Sequence, residues 1–184
     1  MNKVYGEKGV YAPIRKDENR TIACYGYVEE EDGINATWYE IVFYNFNTPR
    51  LNFQMVKNAI IADINAQTDE KILNGYEWTI LHGNDAGKTV KVWLSAENQN
   101  NFKAFHDAVK EYPGIDAFPV TYKLAEDENG NPIYETFENM GALSQFYLGI
   151  VSYIKQTISE GWARKDSIDW SAYEQALDEN EKDN

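Results

Sequence analysis

Tyr76-Glu77-Trp78-Thr79-Ile80-Leu81-His82-Gly83-Asn84-Asp85-Ala86-Gly87-Lys88-Thr89-Val90-Lys91-Val92-Trp93-Leu94-Ser95 is the stretch on which the fold turns. Tyr76 to Leu81 and Thr89 to Leu94 are rich in β-branched and aromatic residues, and the Gly-bounded run between them reads as a hairpin loop. The loop also resembles a phosphate-binding loop, because Gly-Lys-Thr closes it. Three residues separate Gly83 from Gly87, where a phosphate loop needs four. The residues after Lys88 read as a strand, whereas a phosphate loop must lead into a helix whose N-terminus meets the anion. The stretch is therefore an antiparallel hairpin rather than a nucleotide site.

The segments on either side are helical. Upstream, Asn52 is a capping residue, and Phe53, Val56, Ile60, Ile61 and Ile64 recur at helical spacing, which predicts about four turns. Asn74-Gly75 stops whatever helix continues that far. Downstream, Ser95 caps a second helix with Glu97 in its first turn and Phe102, Phe105, Val109 and Tyr112 on one face; Pro113-Gly114 ends it. A second hairpin comes next, Phe118 to Ala125 and Pro132 to Phe137, turning at Asn129-Gly130, the pair a type I′ turn prefers. From Asn139 a long helix carries Leu143, Phe146, Tyr147, Ile150, Val151, Ile154 and Ile158, with Glu160-Gly161 expected to close it. The pattern α-ββ-α-ββ-α predicts an α+β fold in which the two β-hairpins form a four-stranded antiparallel sheet with three helices on one face.

Before Asn52 the chain reads as β-rich. Val4 to Ile14 is weak and Gly-interrupted, and Ile22 to Val28 is a Tyr-rich strand. Glu29-Glu30-Glu31-Asp32-Gly33 is a charged turn. Thr37 to Asn45 alternates, Trp38, Glu40, Val42 and Tyr44 on one face and Tyr39, Ile41 and Phe43 on the other; both faces are apolar apart from Glu40, so both are expected to be covered. The predicted organisation is a β-rich segment over 1–50, an α+β core over 51–173 and an acidic flexible tail over 174–184, with Ile168, Trp170 and Tyr173 packing back on the body.

The 184 residues are 43% hydrophobic and 26% charged, a globular composition. Net charge is −13. Without clustered Lys and Arg to neutralise phosphates, nucleic acid and anionic membrane surfaces are disfavoured as partners. A basic partner protein, or mimicry of DNA, stays open. Cys24 is the single cysteine, so no internal disulfide framework exists, and a strand cysteine with no base nearby is expected to be packing. No signal peptide or membrane-spanning run is recognised near Met1, so the chain is expected to be made and folded in cytoplasm.

The remaining chemical motifs are weak. Asp127-Glu128-Asn129-Gly130-Asn131-Pro132 superficially resembles a calcium loop, but Pro132 stands where the sharp turn wants Gly. His82 and His106 lack cysteine partners and make no zinc site by spacing. A Ser-His-Asp set assembled from distant positions stays open, with no local Gly-x-Ser-x-Gly elbow in its favour. No catalytic, cofactor-binding or metal residue is assigned and no cofactor is expected. The aromatic wealth, 13 Tyr and 5 Trp, serves core packing, with some left for a protein- or sugar-binding face. Tyr25, Tyr27, Tyr39 and Tyr44 are the candidates there, with Asn84 and Asp85 at the tip of the Gly83–Lys88 loop as a second contact point.

Several runs carry a resemblance. They are Thr37-Trp38-Tyr39-Glu40-Ile41-Val42-Phe43, Asp63 through Tyr76, Val92 through Lys103, Glu160-Gly161-Trp162, and Lys165-Asp166-Ser167-Ile168-Asp169-Trp170. The chain from Thr37 to Tyr173 resembles uncharacterised proteins of phages and prophages from gut anaerobic bacteria. Its centre is similar to a domain of unknown function in phage tail-fibre-type proteins. The resemblance transfers no catalytic residue. It implies a non-enzymatic structural or accessory component of a tail, fibre or head-decoration module, acting through contacts with other virion proteins and forming a homo-oligomer. The rival expectations are an acidic accessory factor or DNA mimic that inhibits a basic host protein, and a carbohydrate-binding module; an enzyme ranks last.

Overall fold

The computed structural model describes residues 2–17, 19–44, 51–112 and 117–182. It is an α+β protein whose strands pair antiparallel throughout. The chain forms two compact units, Met1–Ala66 with Gly161–Asn184, and Gln67–Glu160. The expected divisions near 50 and 173 are not where the units part. Two long helices each contribute residues to both units, so a change in periodicity along the sequence does not mark the boundary.

In the first unit β1 (Asn2–Glu7), β2 (Ile14–Asp17), β3 (Arg20–Glu29) and β4 (Asn35–Tyr44) make one sheet in the order β1-β4-β3-β2. The weak Val4–Ile14 segment resolves into β1, a turn of 3-10 helix at Lys8–Val10, and the start of β2. At the turn between β3 and β4, the Asp32 carboxylate accepts the Ile34 and Asn35 backbone N–H groups, each at 2.8 Å. That capping accounts for the acid at Asp32. A bulge between Tyr25 and Val28 is made at Gly26, whose φ of 67° suits glycine.

One sheet face packs on helix. Ala23, Tyr25 and Ile14 meet Val56, Ile60 and Ile64 of α1 (Phe53–Gly75) and Tyr173 of α4 (Trp170–Lys182), with Tyr39, Ile41 and Phe43 alongside. The opposite face is covered in part. Trp38, Cys24, Ile22 and Ala36 are buried under Tyr11 and Tyr27, whereas Tyr44 on the same face is 52% exposed. The expectation that β4 is covered on both faces therefore holds near Trp38 and fails near its C-terminal end.

The second unit holds the two hairpins. β5 (Tyr76–Thr79) pairs with β6 (Thr89–Val92), and β7 (Val120–Glu126) pairs with β8 (Pro132–Phe137). They form two two-stranded sheets rather than the single four-stranded sheet expected. Tyr76, Ile80, Val90, Val92, Leu94, Leu124, Ile133 and Phe137 face inward onto Phe102 of α2 (Ala96–Glu111) and Leu143, Phe146 and Ile150 of α3 (Met140–Asp166). The caps read from sequence form: Asn52 Oδ1 accepts from Met55 N–H and Ser95 Oγ from Asn98 N–H. At the start of α3, Asn139 Oδ1 likewise accepts from Ala142 N–H. The Pro113-Gly114 stop of α2 lies outside the described residues.

Two expectations are corrected. α3 does not close at Glu160-Gly161 but runs to Asp166. A helical glycine costs only about 1 kcal/mol, and Gly161 is buried. The segment from 174 is helical to Lys182 rather than a loose tail, because Tyr173, Ala176 and Leu177 recur at helical spacing and pack on the first unit's core.

Candidate functional site

A concavity lies in the second unit, between the two hairpins. It is a groove of about 950 Å³ lined by residues that include Lys88, Lys91 and Trp93 on one side and Lys123, Glu126 and Asp127 on the other. Its origin is a seam in the sheet. Trp93 N–H donates to Leu124 C=O at 3.4 Å, the one backbone bond between the hairpins among the described residues. The Ile80 N–H bond to Lys88 C=O sets the alternation along β6. Val90 and Val92 spend their backbone groups on β5, while Thr89, Lys91 and Trp93 aim theirs at the seam. On β7 the Asp127 N–H bond to Asn131 sets the same alternation, so Leu124 and Glu126 face the seam from the other side.

The groove is electrically divided. Lys88 and Lys91 line the β6 wall, and Glu126, Asp127 and Glu128 the β7 wall. Lys123 is spoken for by Glu126 at 2.5 Å. The Asp127 carboxylate accepts the N–H groups of Asn129 and Asn131 and the Asn131 amide, which hold it below the usual carboxylate range. In this calcium-like segment the carboxylate builds the turn. Among the described residues no three His, Cys, Asp or Glu side chains converge as a metal site. Trp93, 49% exposed, offers the groove an aromatic surface.

Across from the seam the hairpins are tied by a side chain. Glu135 is fully buried. Its Oε2 accepts Trp78 Nε1–H at 2.9 Å and Leu81 N–H at 2.7 Å, and its Oε1 accepts Thr136 N–H at 3.0 Å. The carboxylate thus bridges β8 to the end of β5, and His82 Nδ1 stands 3.5 Å from Oε1. The signal was in the sequence: Glu135 shares a strand face with Ile133 and Phe137, so alternation turns it inward.

A third constellation joins α2 to α3. His106 Nδ1 lies 3.2 Å from Asp107 Oδ1 and Nε2 lies 3.3 Å from Ser144 Oγ. An ionised carboxylate only accepts, so Nδ1 carries a proton and donates to Asp107, while Nε2 is paired with the Ser144 hydroxyl. Lys103 and then His106 hold Asp107 below the usual carboxylate range. The connectivity is that of a Ser-His-Asp relay, and sequence alone could not bring Ser144 to His106. Its setting differs from a hydrolytic site. Tyr147 stacks on the imidazole, centroids 4.5 Å apart, His106 is buried and Asp107 half-exposed, and none of the three residues lines the groove.

The residues selected from sequence as a contact surface differ in exposure and in partners. Tyr25 is 1% exposed, stacks on Tyr39 and bonds Asp63. It is core and is withdrawn from any contact face. Tyr27 packs on Tyr11, Tyr39 lies under the Arg164 guanidinium, and Tyr44 is exposed. Those four belong to the first unit; Asn84 and Asp85 belong to the second. Asn84 is exposed at the loop tip, and Asp85 is 3.9 Å from Lys88. Cys24 is buried and its thiol is pushed up to about 11 by that burial. No family model, no curated protein and no solved structure matches the chain.

Proposed function

We propose that the chain is a non-enzymatic binding component, a structural or accessory protein of a phage tail, fibre or head, that works by contact with other proteins and is itself an oligomer. The observation that carries the binding reading is the seam between β6 and β7. It offers outward backbone groups on both sides, walls of opposite charge, and a groove large enough for several residues. An extended peptide of a partner protein suits it, because strand addition draws on backbone bonds for affinity and on the walls for direction. The Ser144-His106-Asp107 row counts less, since the imidazole is stacked under Tyr147 and a hydrolase needs room above the nucleophile for a substrate carbonyl and donors for its oxyanion.

The test is reconstitution with the proteins encoded beside it. Binding that is weakened about tenfold by Lys91→Glu or Glu126→Lys, with amide exchange slowed at Thr89, Lys91 and Glu126 in the complex, supports the reading. Esterase or peptidase activity that disappears with Ser144→Ala would replace it with an enzyme. Trp93 favours a second reading, a carbohydrate laid on the indole. Glycan binding abolished by Trp93→Ala and unaffected by Lys91→Glu would select that one.

A further inference from the structure

Among the described residues no strand pairs with the outer edge of β1 in the first unit's sheet, and the sequence of that edge is complementary to itself. Lys8 N–H donates to Ile34 C=O at 3.0 Å, and Gly6 pairs with Ala36 and Val4 with Trp38. The alternation of an antiparallel ladder therefore commits Asn2, Val4 and Gly6 to β4, and turns the backbone groups of Lys3, Tyr5 and Glu7 away from the sheet. The side chains of Lys3, Tyr5 and Glu7 share one face and all are exposed, Tyr5 at 63%. Native edges of this length are normally shortened, bulged or covered. β1 is straight over its six residues with no register shift.

We infer that β1 is a dimerisation edge whose occupant is β1 of a second copy, antiparallel about a two-fold axis at Tyr5. That register places Tyr5 opposite Tyr5 and Lys3 opposite Glu7 of the other chain, twice by symmetry. These are the three residues whose N–H and C=O groups point outward, so each of these three pairs in the new ladder is a hydrogen-bonded one. Any other register of the same strand either sets inward-committed residues against outward ones or loses the Lys3–Glu7 match. Thr37 lies between Tyr5 and Val28 in the cross-strand row, and Val28 is 59% exposed. The exposed row therefore continues inward from the shared edge. The inference rests on the chain being an oligomeric component and assigns the surface.

Sedimentation of the whole chain tests it, with circular dichroism confirming that each variant is folded. The expected result is a reversible dimer whose Kd rises roughly tenfold or more in either Lys3→Glu or Glu7→Lys. Mixing the two single variants restores wild-type affinity, because the mixed pair again sets acid against base at both positions. A dimer indifferent to both reversals would remove β1 while leaving the oligomer in place. Two weakened variants that do not rescue one another would also overturn the pairing. A chain that stays monomeric to millimolar concentration would sink the edge and the oligomeric reading together.

Discussion

The two units spend similar material differently. In the first, four strands are laddered edge to edge and the sheet buries its helix face continuously from Ile14 to Tyr173. In the second, four strands stop at a seam, and what backbone does not join, the Glu135 carboxylate holds at the far side. A continuous ladder spreads its stability over many equivalent bonds. A split sheet concentrates it in a few side chains and leaves backbone groups open for a ligand. The second unit is therefore the more fragile to a single substitution.

Glu135→Ala is the largest expected effect. It strands three donors at once, Trp78 Nε1, Leu81 N and Thr136 N. Buried unsatisfied groups cost about 1–3 kcal/mol each, so a total of about 3–5 kcal/mol is expected. Urea unfolding should show it, with amide exchange accelerated in 67–160 and little changed in the sheet of the first unit. Equal acceleration in both would erase the contrast between a laddered sheet and a split one.

Cys24 tests the first unit by pH. Burial raises its thiol to about 11 from 9.0, and burial also raises Tyr173. The folded state then holds a proton the unfolded chain has released, so stability is full below pH 9 and falls as pH climbs toward 11. The thiol's share is about 2–3 kcal/mol. Cys24→Ala should flatten that decline in a denaturation series between about pH 8 and 11, and an unchanged slope would contradict it.

Gly6→Ala probes the ladder's outer face. An added Cβ would meet Trp38 Cη2 at 2.9 Å, and Trp38 is 1% exposed. Overpacking here should cost about 1–3 kcal/mol, read as a lower urea midpoint with the first unit exchanging faster. The smallest effect belongs to Lys71→Ala. Its 2.6 Å pair with Glu160 is about half exposed on both sides, so a barely measurable loss in urea midpoint is expected, fading in high salt.

Much of the fold was legible in the chain. Both hairpins, the Asn129-Gly130 turn and the caps at Asn52 and Ser95 come from local rules, because turns and helix ends are decided by residues within one or two turns of each other. Glu160-Gly161 misled because glycine weakens a helix by less than the packing of a long one contributes. Tyr25 misled because a strand tyrosine reads the same whether its hydroxyl meets water or Asp63.

Local sequence settled the α+β class, the order of elements and which face of each strand is apolar, since alternation and capping act between near neighbours. Tertiary structure decided where the sheet splits, that Glu135 would close it, that Ser144 would meet His106, and that 67–160 is one unit drawn from parts of two helices. Those outcomes depend on contacts between residues far apart in sequence, where a carboxylate finds three donors or a strand edge finds none. No local pattern encodes such distances.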